Sequence, residues 1–408
     1  MKFIKLIIIT AFIFTFHSIS AQELQSLIIE GLTNNPKIKK FELRYKIASE
    51  KVNEANTLPN TAIGVGYFAS EPETRTGAQR FKISVKQMLP WFGNITAREN
   101  YANALADAKY EDITIAKRKL MVSVSKSYYN LATNSAKQVV LNNNIKLLKT
   151  YETLALTSIE IGKASVVDVL RLQIRTNEMQ QLKKVLVQQY KSEQTNFNKL
   201  LNRDNDRAII TINELDIPSV DFETNFGKLV FHPELLKYDK LYRSVGQSEL
   251  LNQKQSNPII GFGLDYINVA KRPDMNFSDN GKDIIMPMLS VSIPIFNNTY
   301  KSKTKQNQLH QEELLVQKQD RLNGLEILLD KALNDRISAR ISYDTQVENL
   351  KHAKNTEELL IKNYETGTID FKDVLNIQEL QLKFQMNTIE SVKNYYLQTT
   401  IINYLTQQ

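Results

Sequence analysis

The chain contains no cysteine, which excludes a disulfide framework and a cysteine-held metal and leaves no thiol for a lipid anchor behind an export signal. It has no run of about 18 apolar residues, the length a membrane-spanning helix requires. A membrane-embedded form would therefore span as β-structure. Glycine and proline are scarce, 13 and 10 in 408 residues, so each marks a break in regular structure. His17, His232, His310 and His352 are scattered and form no metal-binding spacing. Met286 and Met288 could touch soft metal ions, but read first as apolar packing or lipid-facing residues. No nucleophile with its base and no phosphate loop stands out, so neither an enzyme nor a cofactor is expected. Gly64-Val65-Gly66-Tyr67-Phe68-Ala69 formally fits a dinucleotide fingerprint. Glu71-Pro72 follows where a helix would have to open, so the glycines read as small residues on a strand.

A positive start at Lys2 and Lys5, an apolar stretch from Leu6 to Phe16 and the small residues Ser18-Ile19-Ser20-Ala21 together have the form of a secretory signal over residues 1–21. Removing Lys2 and Lys5 lowers the net charge from +8 to +6. Acids and bases interleave along every helical segment, as on solvated helix faces. A nucleic-acid partner, which would need a basic stripe, is not expected.

The chain is internally duplicated. Gly162-Lys163-Ala164-Ser165-Val166-Val167-Asp168-Val169-Leu170-Arg171-Leu172-Gln173 recurs as Gly367-Thr368-Ile369-Asp370-Phe371-Lys372-Asp373-Val374-Leu375-Asn376-Ile377-Gln378, displaced by 205 residues. Met88-Leu89-Pro90-Trp91-Phe92 is echoed by Ser292-Ile293-Pro294-Ile295-Phe296, Leu58-Pro59-Asn60 by Asn257-Pro258, and Asn35-Pro36 by His232-Pro233, in the same order. The repeats are read as 22–205 and 229–408, with a linker over 206–228.

Within each repeat the period of the apolar residues switches. Ile63, Val65 and Tyr67, then Phe81, Ile83 and Val85, alternate with small or polar residues, predicting strands over 61–69 and 80–89. Ile260, Phe262, Leu264 and Tyr266, then Leu289, Val291 and Ile293, do the same for strands over 258–269 and 284–295. Loops rich in turn residues join each pair. Long stretches follow in which apolar residues recur at threes and fours, predicting helices over 94–161 and 297–366. At 1.5 Å per residue each makes a rod of roughly 100 Å, and so long a helix needs an antiparallel coiled-coil partner. Tips at 162 and 367 turn the chain into return helices over 165–202 and 371–407.

Two strand pairs cannot close a barrel, and an open sheet in lipid leaves backbone groups unpaired at several kcal/mol each. Several subunits must therefore pool strands around a water-filled lumen, with apolar residues outward and Gly, Ser, Lys and Asp inward.

Gln87-Met88-Leu89-Pro90-Trp91-Phe92-Gly93 and Tyr364-Glu365-Thr366-Gly367-Thr368-Ile369-Asp370-Phe371-Lys372-Asp373-Val374-Leu375, set in two tandem repeats, resemble the TolC family of outer-membrane efflux proteins. The resemblance covers essentially all of the mature chain. It implies a mainly α fold with transmembrane β: a long antiparallel coiled-coil tunnel in the periplasm, with four strands per subunit contributed to a trimeric twelve-stranded barrel in outer-membrane lipid. It also implies a homotrimer that works as a passive exit duct of a tripartite efflux or type I secretion system, coupled to an inner-membrane pump through a periplasmic adaptor. The runner-up is a soluble periplasmic coiled-coil scaffold or adaptor.

The resemblance further implies site residues. Asp373 matches an entrance carboxylate, while Asn376 stands where a second would be. Tyr364 matches a tyrosine of a closed-state hydrogen-bond network, but Ile369 replaces its arginine partner. Ile161-Gly162-Lys163 and Thr366-Gly367-Thr368 match the adaptor-contact tips, with Thr366 in place of an apolar residue. Pro90, Trp91 and Pro294 mark the junctions from barrel to helix. A trimer would set three copies each of Asp168 and Asp373 around a narrow mouth, favouring cations. As isolated helix-start carboxylates the two would each contribute about 0.3–1 kcal/mol through the helix dipole.

Overall fold

The dearth of glycine and proline is answered, among the described residues, by six helices of 20 residues or more. In the computed structural model, residues 24–160, 165–211, 216–221, 226–366 and 368–406 are described. The expected signal segment and Ile161, Gly162, Lys163 and Gly367 lie outside them. Helix α1 covers residues 24–34 and is followed by α2 (Pro36–Ala55), β1 (Ala62–Tyr67), β2 (Glu73–Thr74), β3 (Gly77–Leu89), α3 (Asn94–Glu160) and α4 (Val166–Leu200). A 3-10 turn at Phe226–Phe231 leads into α5 (Pro233–Gln255), β4 (Ile259–Val269), β5 (Ile284–Ser292), α6 (Thr299–Glu365) and α7 (Phe371–Thr406). The two 67-residue helices α3 and α6 hold no proline and only Gly324 between them.

The chain gathers into two compact units, each drawn from both repeats. One comprises Met1–Lys40, Thr114–His232 and Leu322–Gln408, the other Phe41–Ile113 and Pro233–Arg321.

The first unit is a coiled coil. On α3 the buried residues Leu141, Leu148, Tyr151 and Ala155 fall at spacings of seven, three and four. On α4 Val169, Leu172, Thr176 and Met179 fall at spacings of three, four and three, and on α7 Phe371, Val374 and Gln378 at three and four. These seams meet in one core with Tyr364 of α6, the packing a period near 3.5 demands. Inside it, the amide of Gln378 donates to the Asn144 side-chain oxygen at 2.6 Å, and Asn144 donates to Gln385 at 3.0 Å. A buried polar pair of this kind fixes register, because any slip leaves its amides unpaired. The described part of the linker docks on α6 and α7. Ile217 packs against Ala339, Val392 and Tyr395, while Arg340 donates to the Pro218 carbonyl at 2.7 Å and pairs with Asp221.

The second unit holds the sheet and the helix segments beside it. Asp112 of α3 pairs with Lys237 of α5 at 2.7 Å. Glu249 of α5 accepts from Thr304 at 2.8 Å and Asn307 at 2.9 Å on α6. Burial pushes the Glu249 carboxyl up, but these donors outweigh it and hold it below its ordinary value. The strands pair antiparallel in the order β1-β3-β4-β5, with β2 on the tip of β3. Each repeat thus supplies one hairpin, and β3 and β4 join the two.

Candidate pore wall and entrance

Directly paired residues in an antiparallel sheet share a face, so the register sorts every side chain. One face carries Ile63, Val85, Leu264 and Pro287 in one row and Val65, Ile83, Tyr266 and Ile285 in the next. It is apolar and bare: Val65 is 76% exposed and Leu289 68%. The opposite face carries Gly64, Ser84, Asp265 and Met286 in one row and Ala62, Lys86, Gly263 and Met288 in another. On that face the carboxylate of Asp265, 0% exposed, is paired with Lys82. Met286 and Met288 therefore stand with the small and polar residues rather than on the apolar face. Among the described residues β1 and β5 are each paired on one side only. A bare apolar face with two open edges is stable in lipid only if the edges find partners.

The loops beyond the strands are tied together. Asp283 accepts from Tyr266 at 2.5 Å, Asn268 at 3.0 Å and the Val269 amide at 2.9 Å. Arg272 donates to Glu73 at 2.6 Å. The amide of Gly281, whose φ of +74° suits glycine, donates to the Thr76 carbonyl at 2.7 Å.

At the junctions, β3 ends at Leu89 and Pro90 withdraws the next ladder donor. Gly93 turns with φ +77°, and the Asn94 amide reaches the Trp91 carbonyl at 3.0 Å. In the second repeat β5 ends at Ser292, short of Pro294. Asn297 then accepts from the Thr299 amide at 2.9 Å to start α6. Trp91 stacks edge-on against Phe92 at 5.8 Å and Phe296 is 99% exposed. Aromatic residues at strand ends are where membrane barrels carry their interfacial girdle.

The tip residues divide. Asp168 is occupied locally: it closes a capping box with Ser165, accepting from the Ser165 amide at 3.3 Å, and lies 3.6 Å from Arg171. Asp373 and Asn376 are exposed in the first turns of α7, and Asp373 has no side-chain partner among the described residues. The structure therefore does not treat the two carboxylates alike. Tyr364 is buried between α6 and α7, its ring 4.8 Å from Phe371. Its hydroxyl makes no hydrogen bond to a described residue, although Ser158 and Asp168 are near. Burial pushes this phenol up; Ser158 opposes the shift and the Asp168 carboxylate adds to it. Ile369 is half-buried against the same core.

Thr366 and Thr368 close the end of α6. The Asn363 carbonyl accepts from the Thr366 hydroxyl at 2.9 Å, the Thr368 hydroxyl at 2.8 Å and the Thr368 amide at 3.0 Å. These donors satisfy a carbonyl the helix end leaves orphaned. Sequence reasoning missed Ser165 and Arg171, though Ser-x-x-Asp before an apolar run was a legible capping signal. It also missed Asn363, whose role is made by its backbone and has no sequence signature.

Solved structures share this arrangement. The channel-forming protein CusC matches with a TM-score of 0.80 at 13% identity, over 94% of this chain and 92% of its own. The outer membrane protein VceC of Vibrio cholerae matches at 0.74 and 15%, over 94% and 96%. The open-state outer membrane channel MtrE of Neisseria gonorrhoeae matches at 0.74 and 15%, over 94% and 88%. At such identities the likeness establishes the fold, which is that of a TolC-type outer-membrane channel subunit. Residues 27–203, within the first repeat, match the model of the outer membrane efflux protein family. No curated protein matches the chain in sequence.

Proposed function

We propose that this outer-membrane efflux channel subunit assembles as a homotrimer into a passive exit duct from periplasm to exterior. Its strands are pooled into one barrel in outer-membrane lipid, and its helices form the periplasmic conduit. The observation that carries the reading is the sheet itself: one largely apolar exposed face, an opposite face that carries the glycines, Ser84, Lys82, Lys86 and Asp265, and two edges unpaired among the described residues. No described helix is long and apolar enough to cross a membrane, so the sheet is the element suited to lipid. A passive duct has no chemistry to perform, and its energy comes from an inner-membrane pump reached through a periplasmic adaptor. The segments around Thr366 and Thr368, with Ile161, Gly162, Lys163 and Gly367, are assigned to the adaptor contact, and Asp373 to the entrance.

Fractionation tests this directly. The protein is expected in the outer membrane, extractable only with detergent, and running as a trimer that heat converts to monomer. Recovery as a soluble monomer after osmotic shock would overturn the reading in favour of a periplasmic scaffold.

A further inference from the structure

The charges of the sheet are matched with one exception. Glu73 holds Arg272 at 2.6 Å, Arg80 lies 3.9 Å from Glu71, and Lys82 pairs with Asp265. Lys86 alone forms no ion pair among the described residues. It is exposed and sits on the small, polar face, in register with Ala62 on one side and Gly263 on the other. Its stem lies over Gly263: a Cβ at that glycine would stand 3.6 Å from Lys86 Cγ and 3.2 Å from Met288 Cε. The missing side chain at 263 is thus filled by the stem of Lys86 and by Met288.

We propose that Lys86 is a selectivity determinant of the barrel lumen, giving it a preference for anionic solutes. The inference rests on the exit-duct reading, in which the small, polar face is the lumen. Strands pooled from several copies would repeat Lys86 at one height as a ring of like charge. Rings of lysine or arginine in a pore favour anions. Asp265 lies within electrostatic reach of Lys86 but is ion-paired with Lys82, so the three groups together leave one positive charge in excess on this face.

The test is single-channel recording of the full-length protein in planar bilayers across a potassium chloride gradient. Lys86→Gln is expected to lower the chloride-to-potassium permeability ratio by about fourfold, since a unit charge some 8 Å away in water shifts each ion about twofold and in opposite senses. Lys86→Glu is expected to lower it further. Because the chain has no cysteine, Lys86→Cys supplies a single addressable thiol. A cationic methanethiosulfonate should restore the ratio and an anionic one should depress it. An open channel whose ratio is the same in wild type, Lys86→Gln and Lys86→Glu would overturn the inference, as would a thiol at 86 that neither reagent reaches. A wild-type protein that forms no channel would instead overturn the exit-duct reading.

Discussion

The hydroxyl of Tyr151 donates to the Glu357 carboxylate at 2.6 Å, so α3 is tied to α6 by a residue whose ring packs edge-on against Phe371 at 5.8 Å. Burial, and then this bond to a carboxylate, push the Tyr151 phenol well above its ordinary range. Gln381 donates to the other Glu357 oxygen at 2.8 Å. Tyr151→Phe keeps the ring against Phe371 and removes only the hydroxyl. It is expected to cost about 1.5–3 kcal/mol, as for a hydrogen bond to a charged group, read as a lower midpoint in denaturant unfolding of the detergent-solubilised protein. An unchanged midpoint would mean that Gln381 alone satisfies Glu357.

The two tip carboxylates should separate in their effects. Asp168→Asn weakens a capping box and removes a helix-start charge, and is expected to cost about 0.3–1 kcal/mol while leaving ion selectivity nearly unchanged. Asp373→Asn touches no partner and should leave stability unchanged while lowering cation preference or divalent block in planar bilayers. The same change in selectivity from both substitutions would return Asp168 to the pore mouth.

The threonine clasp predicts a local phenotype. Thr368→Val keeps shape and removes one donor from the Asn363 carbonyl. Hydrogen exchange of the amides around Thr366 to Asp370 should quicken by about fivefold, the equivalent of about 1 kcal/mol. Exchange in the distant Asn144–Gln378 layer should not change.

The linker contact carries an acid response. Burial pushes the Asp221 carboxyl up, but hydrogen bonds from Arg340 and Tyr395 outweigh it and hold it below its ordinary value of 3.8. A carboxyl depressed in the folded state contributes its stability above the unfolded value and loses it as pH falls through the folded one. Asp221→Asn should therefore destabilise the protein at neutral pH, and the gap from wild type should narrow below about pH 3.8. Melting curves of the two proteins across pH 3 to 7 measure it; a gap independent of pH would rule out the carboxylate as its source.

The repeat, the switch of periodicity and the apolar strand faces were legible because each is written in local order. Ile63, Val65 and Tyr67 announce a face whatever their neighbours are. The pairing of β3 with β4 was not legible, since it joins residues such as Val85 and Leu264 that are far apart in sequence. The short strand at Glu73–Thr74 was hidden inside a segment whose composition reads as loop. The division of the tip was hidden for a different reason. The duplication presents Asp168 and Asp373 as equivalents, whereas a serine three residues before one gives it a capping partner, and the aspartate three residues before the other gives it none among the described residues.

The unpaired edges at β1 and β5 have a genetic consequence. On the proposed assembly, in which other copies complete the sheet, a subunit cannot fail privately. A defective version that still folds its edge strands will be admitted to assemblies and spoil them, so such alleles should act dominantly over a functional copy. Versions that cannot present an edge should be merely absent.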